Sequence, residues 1–100
     1  MSTEPNRTND QIKTAALERA KQVCGGNTGL STALAGLVAA ARPPTPQAIS
    51  QWKQIPAERV LAVEEVTKIS RNLLRPDIYG RPSSAVIETV FNEVEAADGV

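Results

Sequence analysis

The chain has 100 residues, 41% of them apolar, but Trp52, Tyr79 and Phe91 are its only aromatics. That length suits one small domain, and a core built from Leu, Val, Ile and Ala suits a helical bundle better than a β-sandwich. The formal net charge is zero, yet it is unevenly spread. Residues 1–82 hold all eleven bases against seven acids, whereas residues 83–100 hold Glu88, Glu93, Glu95 and Asp98 and no base. A mildly basic body with an acidic tail is compatible with nucleic-acid binding by the body.

No run approaches a membrane span, and "MSTEPNRTND" lacks the order of a signal peptide, so a cytoplasmic, nucleoid-associated protein is expected. Residues 1–9 read as a disordered arm. Asp10 can cap a first helix to about Val23, with Ile12, Ala16, Leu17, Ala20, Val23 and Cys24 inward. Cys24, alone in the chain, reads as a small buried hydrophobe. Gly25-Gly26 ends the helix, and Asn27 and Thr28 offer oxygens to the N–H groups of a second one. Its stripe is Leu30, Ala33, Leu34, Leu37, Val38 and Ala41, with Pro43-Pro44 as the stop.

Thr45 and Pro46 are a cap and a first helical residue, so a short third helix is expected from Thr45 to about Lys53. It buries Ala48, Ile49 and Trp52 and shows Gln47, Ser50, Gln51 and Lys53. Pro56 opens a fourth helix, roughly 57–68, with Val60, Leu61, Val63 and Val66 apolar and Glu64 paired with Lys68. In "SRNLLRPDIYG", Ser70 caps a short turn that Pro76 ends, and Leu73, Leu74, Ile78 and Tyr79 fold back on the bundle. Ser83 or Ser84 caps a last helix to about Ala97, with Val86 or Ile87, Val90, Phe91 and Val94 on one face.

Little here supports catalysis. The chain has no histidine, so no Cys–His or Ser–His pair, and one cysteine builds no zinc site. Glu64 and Glu65 diverge by about 100° on a helix, and Gly25-Gly26 lacks the lysine and hydroxyl of a phosphate loop. No enzyme activity, cofactor or metal is expected. The informative feature is two helices meeting at a corner, the second short and polar outward. In a helix-turn-helix the second helix of the pair enters the major groove, where a glutamine amide can bond adenine N6 and N7 together. Gln47 and Gln51 lie one turn apart, with Arg42 and Lys53 placed to neutralise phosphates.

Taken in order, "GGNTGLSTALAG", "TPQAISQW", "IPAERVLAVEEVT" and "ISRNLLRPDIYG" resemble the YdaS-like members of the Cro/C1 helix-turn-helix class, small regulators of phages and prophages. The resemblance covers about residues 12–80. It implies an all-α, lambda-repressor-like bundle of about five helices, to which the C-terminal amphipathic helix is an addition. It also implies binding to double-stranded operator DNA and repression of transcription. By position, Thr45 matches the cap of the recognition helix, and Gln47 and Gln51 its base-reading positions, with Ala48 and Ser50 between. Ile49 and Trp52 match its anchors, and Asn27 matches a phosphate-touching position.

Arg59 has no matching role and reads as a surface ion-pair residue, with Glu58's neighbours or Asp77 as candidate partners. The family's corner is short, whereas here "AGLVAAARPP" separates Leu34 from Thr45. Either the second helix runs on to Ala41 or a loop bulges at the corner. Pro46 fills a slot where relatives place a base-contacting side chain, which shifts base reading to Gln47 and Gln51. The last helix lies outside the resemblance and either completes the core or forms a dimer contact. The alternative function is an antitoxin or adaptor that acts through protein partners.

Overall fold

The computed structural model describes residues 7–37 and 42–98. Those residues form seven α-helices, one 3₁₀ turn and no strand: α1 (Asn9–Cys24), α2 (Asn27–Ala35), α3 (Pro46–Ser50), the turn Ala57–Arg59, α4 (Val60–Thr67), α5 (Arg71–Leu74), α6 (Pro76–Tyr79) and α7 (Ser84–Asp98). No helix among them is long and apolar enough to cross a membrane.

The central post is α1, against which α2, α4, α5, α6 and α7 all pack. Its buried face is Ile12, Ala15, Ala16, Leu17 and Ala20, and the three alanines let neighbouring helices approach closely. Val23, expected inside, is 45% exposed at the last turn of the helix. Cys24 is half-buried, and burial pushes its thiol pKa up. The cap is Thr8 and not Asp10. Thr8 Oγ1 accepts from Gln11 N while Gln11 Oε1 accepts from Thr8 N, a reciprocal capping box that Asp10 cannot make. Residues 7–9, expected within the arm, are therefore part of the fold. Arg7 forks onto Glu88 and stacks 3.8 Å from the Phe91 ring centre. Residues 1–6 lie outside the described residues.

Between α1 and α2 the chain turns on glycines. Gly25 is left-handed (φ 87°), and the Gly26 N–H reaches back to Lys21 O at 2.7 Å, satisfying carbonyls that α1 would otherwise leave free. Gly26 (φ 110°) is itself the N-cap of α2. Asn27 and Thr28 are consequently inside the helix and cap nothing, contrary to the sequence expectation. Gly29 lies against the Cys24 carbonyl so closely that a Cβ would sit 1.7 Å from that oxygen. Only glycine fits there.

Helix α2 buries Leu30 and Leu34 and stops at Ala35, with Gly36 as its C-cap. It does not run to the prolines. Leu37, the next member of the stripe, is 38% exposed. Val38 and Ala41 lie outside the described residues.

The second half of the chain is a set of short helices held by side-chain clamps. Glu64 accepts from Arg71 at both the backbone N and Nε, so the expected Glu64–Lys68 pair is replaced by a link from α4 to α5. Lys68 instead adopts φ 63° and closes α4. Pro56 caps the 3₁₀ turn from outside it. Pro76 begins α6 where it was expected to end a turn, since a proline N-terminal position loses no hydrogen bond. Ile78, expected inward, is 47% exposed.

Asn72 Nδ2 donates to Tyr79 O (2.8 Å) and Gly80 O (2.9 Å), tying the end of α6 to α5. Arg75 donates to Ile55 O and forks onto Asp77, so Asp77 is not the partner of Arg59. No ion pair to Arg59 occurs among the described residues. The Arg75 guanidinium lowers the Asp77 carboxyl to about 2. Helix α7, whose first turn Ser83 caps through its hydroxyl, buries Ile87 and Val90 in the same core and leaves Val86 outside. Its acids Glu88 and Glu93 pair with Arg7 and Arg19, so part of the charge asymmetry cancels inside the fold.

Two tests follow from these clamps. Gly29→Ala should destabilise the protein by about 1–3 kcal/mol, as overpacking does, measured by urea unfolding; an unchanged midpoint would contradict the close approach. Asp77 has a folded pKa below its unfolded 3.8, so its stabilisation is present above that value and lost as pH falls toward about 2. Asp77→Asn should therefore lower stability at neutral pH and lessen the further loss between pH 4 and pH 2, seen by comparing unfolding midpoints across that window.

Candidate nucleic-acid interface

Helix α3 is fixed in place before it offers anything to a ligand. Thr45 sits in extended backbone (φ −77°, ψ 160°), its Oγ1 accepts from Ala48 N at 3.1 Å, and its carbonyl accepts from Ile49 N at 3.0 Å. Pro46 fills the first helical position. Ile49 is fully buried, which secures the helix by about 1.5–3 kcal/mol of side-chain transfer. Trp52 packs half-buried against the same core. The helix is shorter than the expected 45–53: it ends at Ser50, and Gln51 and Trp52 close it through bonds to Ala48 O and Ile49 O.

Two anchors on one side leave the other side open. Gln47, Ala48, Ser50, Gln51 and Lys53 are all exposed. Ala48 was expected in the core and is corrected to the surface, because the first turn needs only Ile49 to hold it. Gln51 keeps right-handed backbone (φ −89°, ψ −9°) and so stays in register with Gln47, one turn earlier. The Ser50 hydroxyl donates to Gln47 O at 2.7 Å. In that state it offers a ligand lone pairs and no proton. Arg42 and Lys53 flank the helix, exposed and with no ion pair among the described residues.

The partner helix is α2, which packs directly on α3. Its N-cap is a glycine and makes no side-chain capping bond. Asn27 stands at that end, half-buried, with Oδ1 enclosed and without a hydrogen-bond partner.

The long connection between the helices is pinned by a residue the sequence did not single out. Ser31, on α2, donates from Oγ to Pro44 O at 2.7 Å, and Pro44 is buried. This bond fixes where α3 starts relative to α2 despite the ten residues between Leu34 and Thr45. No sequence signal marks Ser31, because its partner is distant in the chain and is a backbone carbonyl.

The electrostatics of this unit are one-sided. Residues 19–57 contain no aspartate or glutamate, and carry Arg19, Lys21, Arg42 and Lys53. Both helices of the pair and their connection lie within that stretch. Among the described residues, no group of three or more His, Cys, Asp or Glu side chains could hold a metal ion.

Ser31→Ala removes the pin without touching any outward side chain. It should cost about 0.5–1.5 kcal/mol of stability and weaken any ligand that bridges α2 and α3 several-fold. Urea unfolding and a binding titration on one sample check both; unchanged binding would mean that the Ser31 bond does not set the corner.

No curated protein and no solved structure matches the chain. The family model described as "Bacterial toxin YdaS" matches residues 17–83, from the middle of α1 to the cap of α7. The match takes in α2, α3 and the whole clamp region that orients them, and on it the chain belongs to the YdaS family.

Proposed function

We propose that this protein is a sequence-specific DNA-binding regulator of prophage type that lays α3 in the major groove of an operator. The observation that carries the reading is the capped and anchored α3, which presents Gln47 and Gln51 within a segment free of carboxylates. A glutamine amide can bond adenine N6 and N7 together, so two glutamines one turn apart suit adjacent base pairs. Arg42 and Lys53 hold phosphates on either side. Asn27, at the start of α2, touches a further phosphate.

Ser50 contributes as a contact once its bond to Gln47 O is given up, and Ala48 gives an apolar touch between the two readers. Thr45 acts by capping. Two copies, each placing α3 about 34 Å apart on the DNA, match half-sites one turn apart. Such a protein needs no cofactor, performs no catalysis, and works where the chromosome is, in the cytoplasm.

The family's description as a toxin favours a second reading, in which growth is affected through protein contacts and the chain is a toxin, antitoxin or adaptor. The two separate on the glutamines. In a gel-shift titration on the duplex upstream of the protein's own gene, Gln47→Ala and Gln51→Ala should each cost about 1–3 kcal/mol on that site and little on unrelated DNA. Arg42→Ala and Lys53→Ala should each lower the slope of log affinity against log salt by about one. Specific binding that survives both glutamine changes would refute base reading by α3.

A further inference from the structure

On α7's side of the bundle lies a groove of about 480 Å³ between α1 and α7. Ala15, Phe91 and Val94 form its apolar floor, and Asp10, Glu18 and Glu95 line it, of which Asp10 is already paired with Lys13. We propose that this groove docks a basic amphipathic helix from a partner protein.

The shape argues for a helix. On α1 the lining residues Asp10, Gln11, Thr14, Ala15 and Glu18 recur at three- and four-residue spacing, a strip of about 12 Å along the axis. A trough of that kind between two helices is where a third helix lays its apolar face.

The charge argues for a basic occupant. Glu18 and Glu95 make no ion pair among the described residues, unlike Glu88 and Glu93 beside them, which Arg7 and Arg19 take. Phe91 is kept in place at the groove because Arg7 stacks on its ring while bound to Glu88. DNA and anionic lipid are disfavoured by the same acids. None of the groove's lining residues belongs to α2 or α3. The proposal is thus independent of the DNA reading.

The test uses the full chain and a fluorescent peptide of about 16 residues, long enough to form a helix when bound. It carries leucines on one helical face and lysines along its flanks. Anisotropy titration should show saturable one-to-one binding, and the double variant Glu18→Lys, Glu95→Lys should weaken it at least about tenfold. Equal-sized charge reversal elsewhere, Glu58→Lys with Glu65→Lys, and the DNA-side pair Gln47→Ala with Gln51→Ala should leave it unchanged. Backbone amide shifts on binding should centre on Thr14, Glu18, Val94 and Glu95.

Equal weakening by the Glu58 and Glu65 changes would reduce the effect to net charge and overturn the proposal. So would shifts centred elsewhere, or a scrambled peptide of the same composition binding as tightly. Concentration-dependent dimerisation by sedimentation that Glu18→Lys, Glu95→Lys abolishes would make a second copy the occupant and overturn it too.

Discussion

The contact on which the α2–α3 half depends is Gly29 against the carbonyl of Cys24. A backbone so close to the end of α1 admits no side chain, and it fixes the angle at which α2 leaves α1. Helix α3 has five residues and cannot be stable alone. Its orientation is inherited from α2 through Ile49, packed in the shared core, and through the Ser31–Pro44 bond. A small shift at Gly29 would therefore appear as a displacement of Gln47 and Gln51. On the other side, α1 also carries α7, whose acids close on Arg7 and Arg19.

The chain divides its charge by helix. The pair α2–α3 and its connection carry no acid. The acids of α7 are spent partly on holding that helix to α1 and partly on the groove between them. A formal net charge of zero thus conceals one surface suited to a polyanion and another that repels it. The groove and the α2–α3 pair share no residue.

Much of this was legible in the residues. Spacing marked Ile12, Ala16, Leu17 and Ala20 on the apolar face of α1 but missed Ala15 and misplaced Val23, and Gly25-Gly26 marked its end. Thr45-Pro46 placed the start of α3, and a fixed start sets which residues face outward, so Gln47 and Gln51 follow once Ile49 is inside. Other features required three dimensions. The stripe of α2 continues past Ala35 in the sequence, but Gly36 weakens the helix by about 1 kcal/mol and Leu37 stays exposed. A proline reads equally as a stop or a start, and Pro76 proved to be a start. Asn72, Arg71 and Arg75 look like solvated polar residues, yet they clamp backbone carbonyls and carboxylates from other elements. Ser31 belongs to the same class.

The most direct measurement of the central claim is a titration of isotope-labelled protein with the duplex upstream of its own gene, followed by backbone amide shifts. Operator reading by α3 predicts saturating changes at Gln47, Ala48, Gln51 and Lys53 and at the start of α2, around Asn27, with α7 unmoved. Changes confined to α7 and the outer face of α1, or none at a concentration where the duplex is bound, would contradict it.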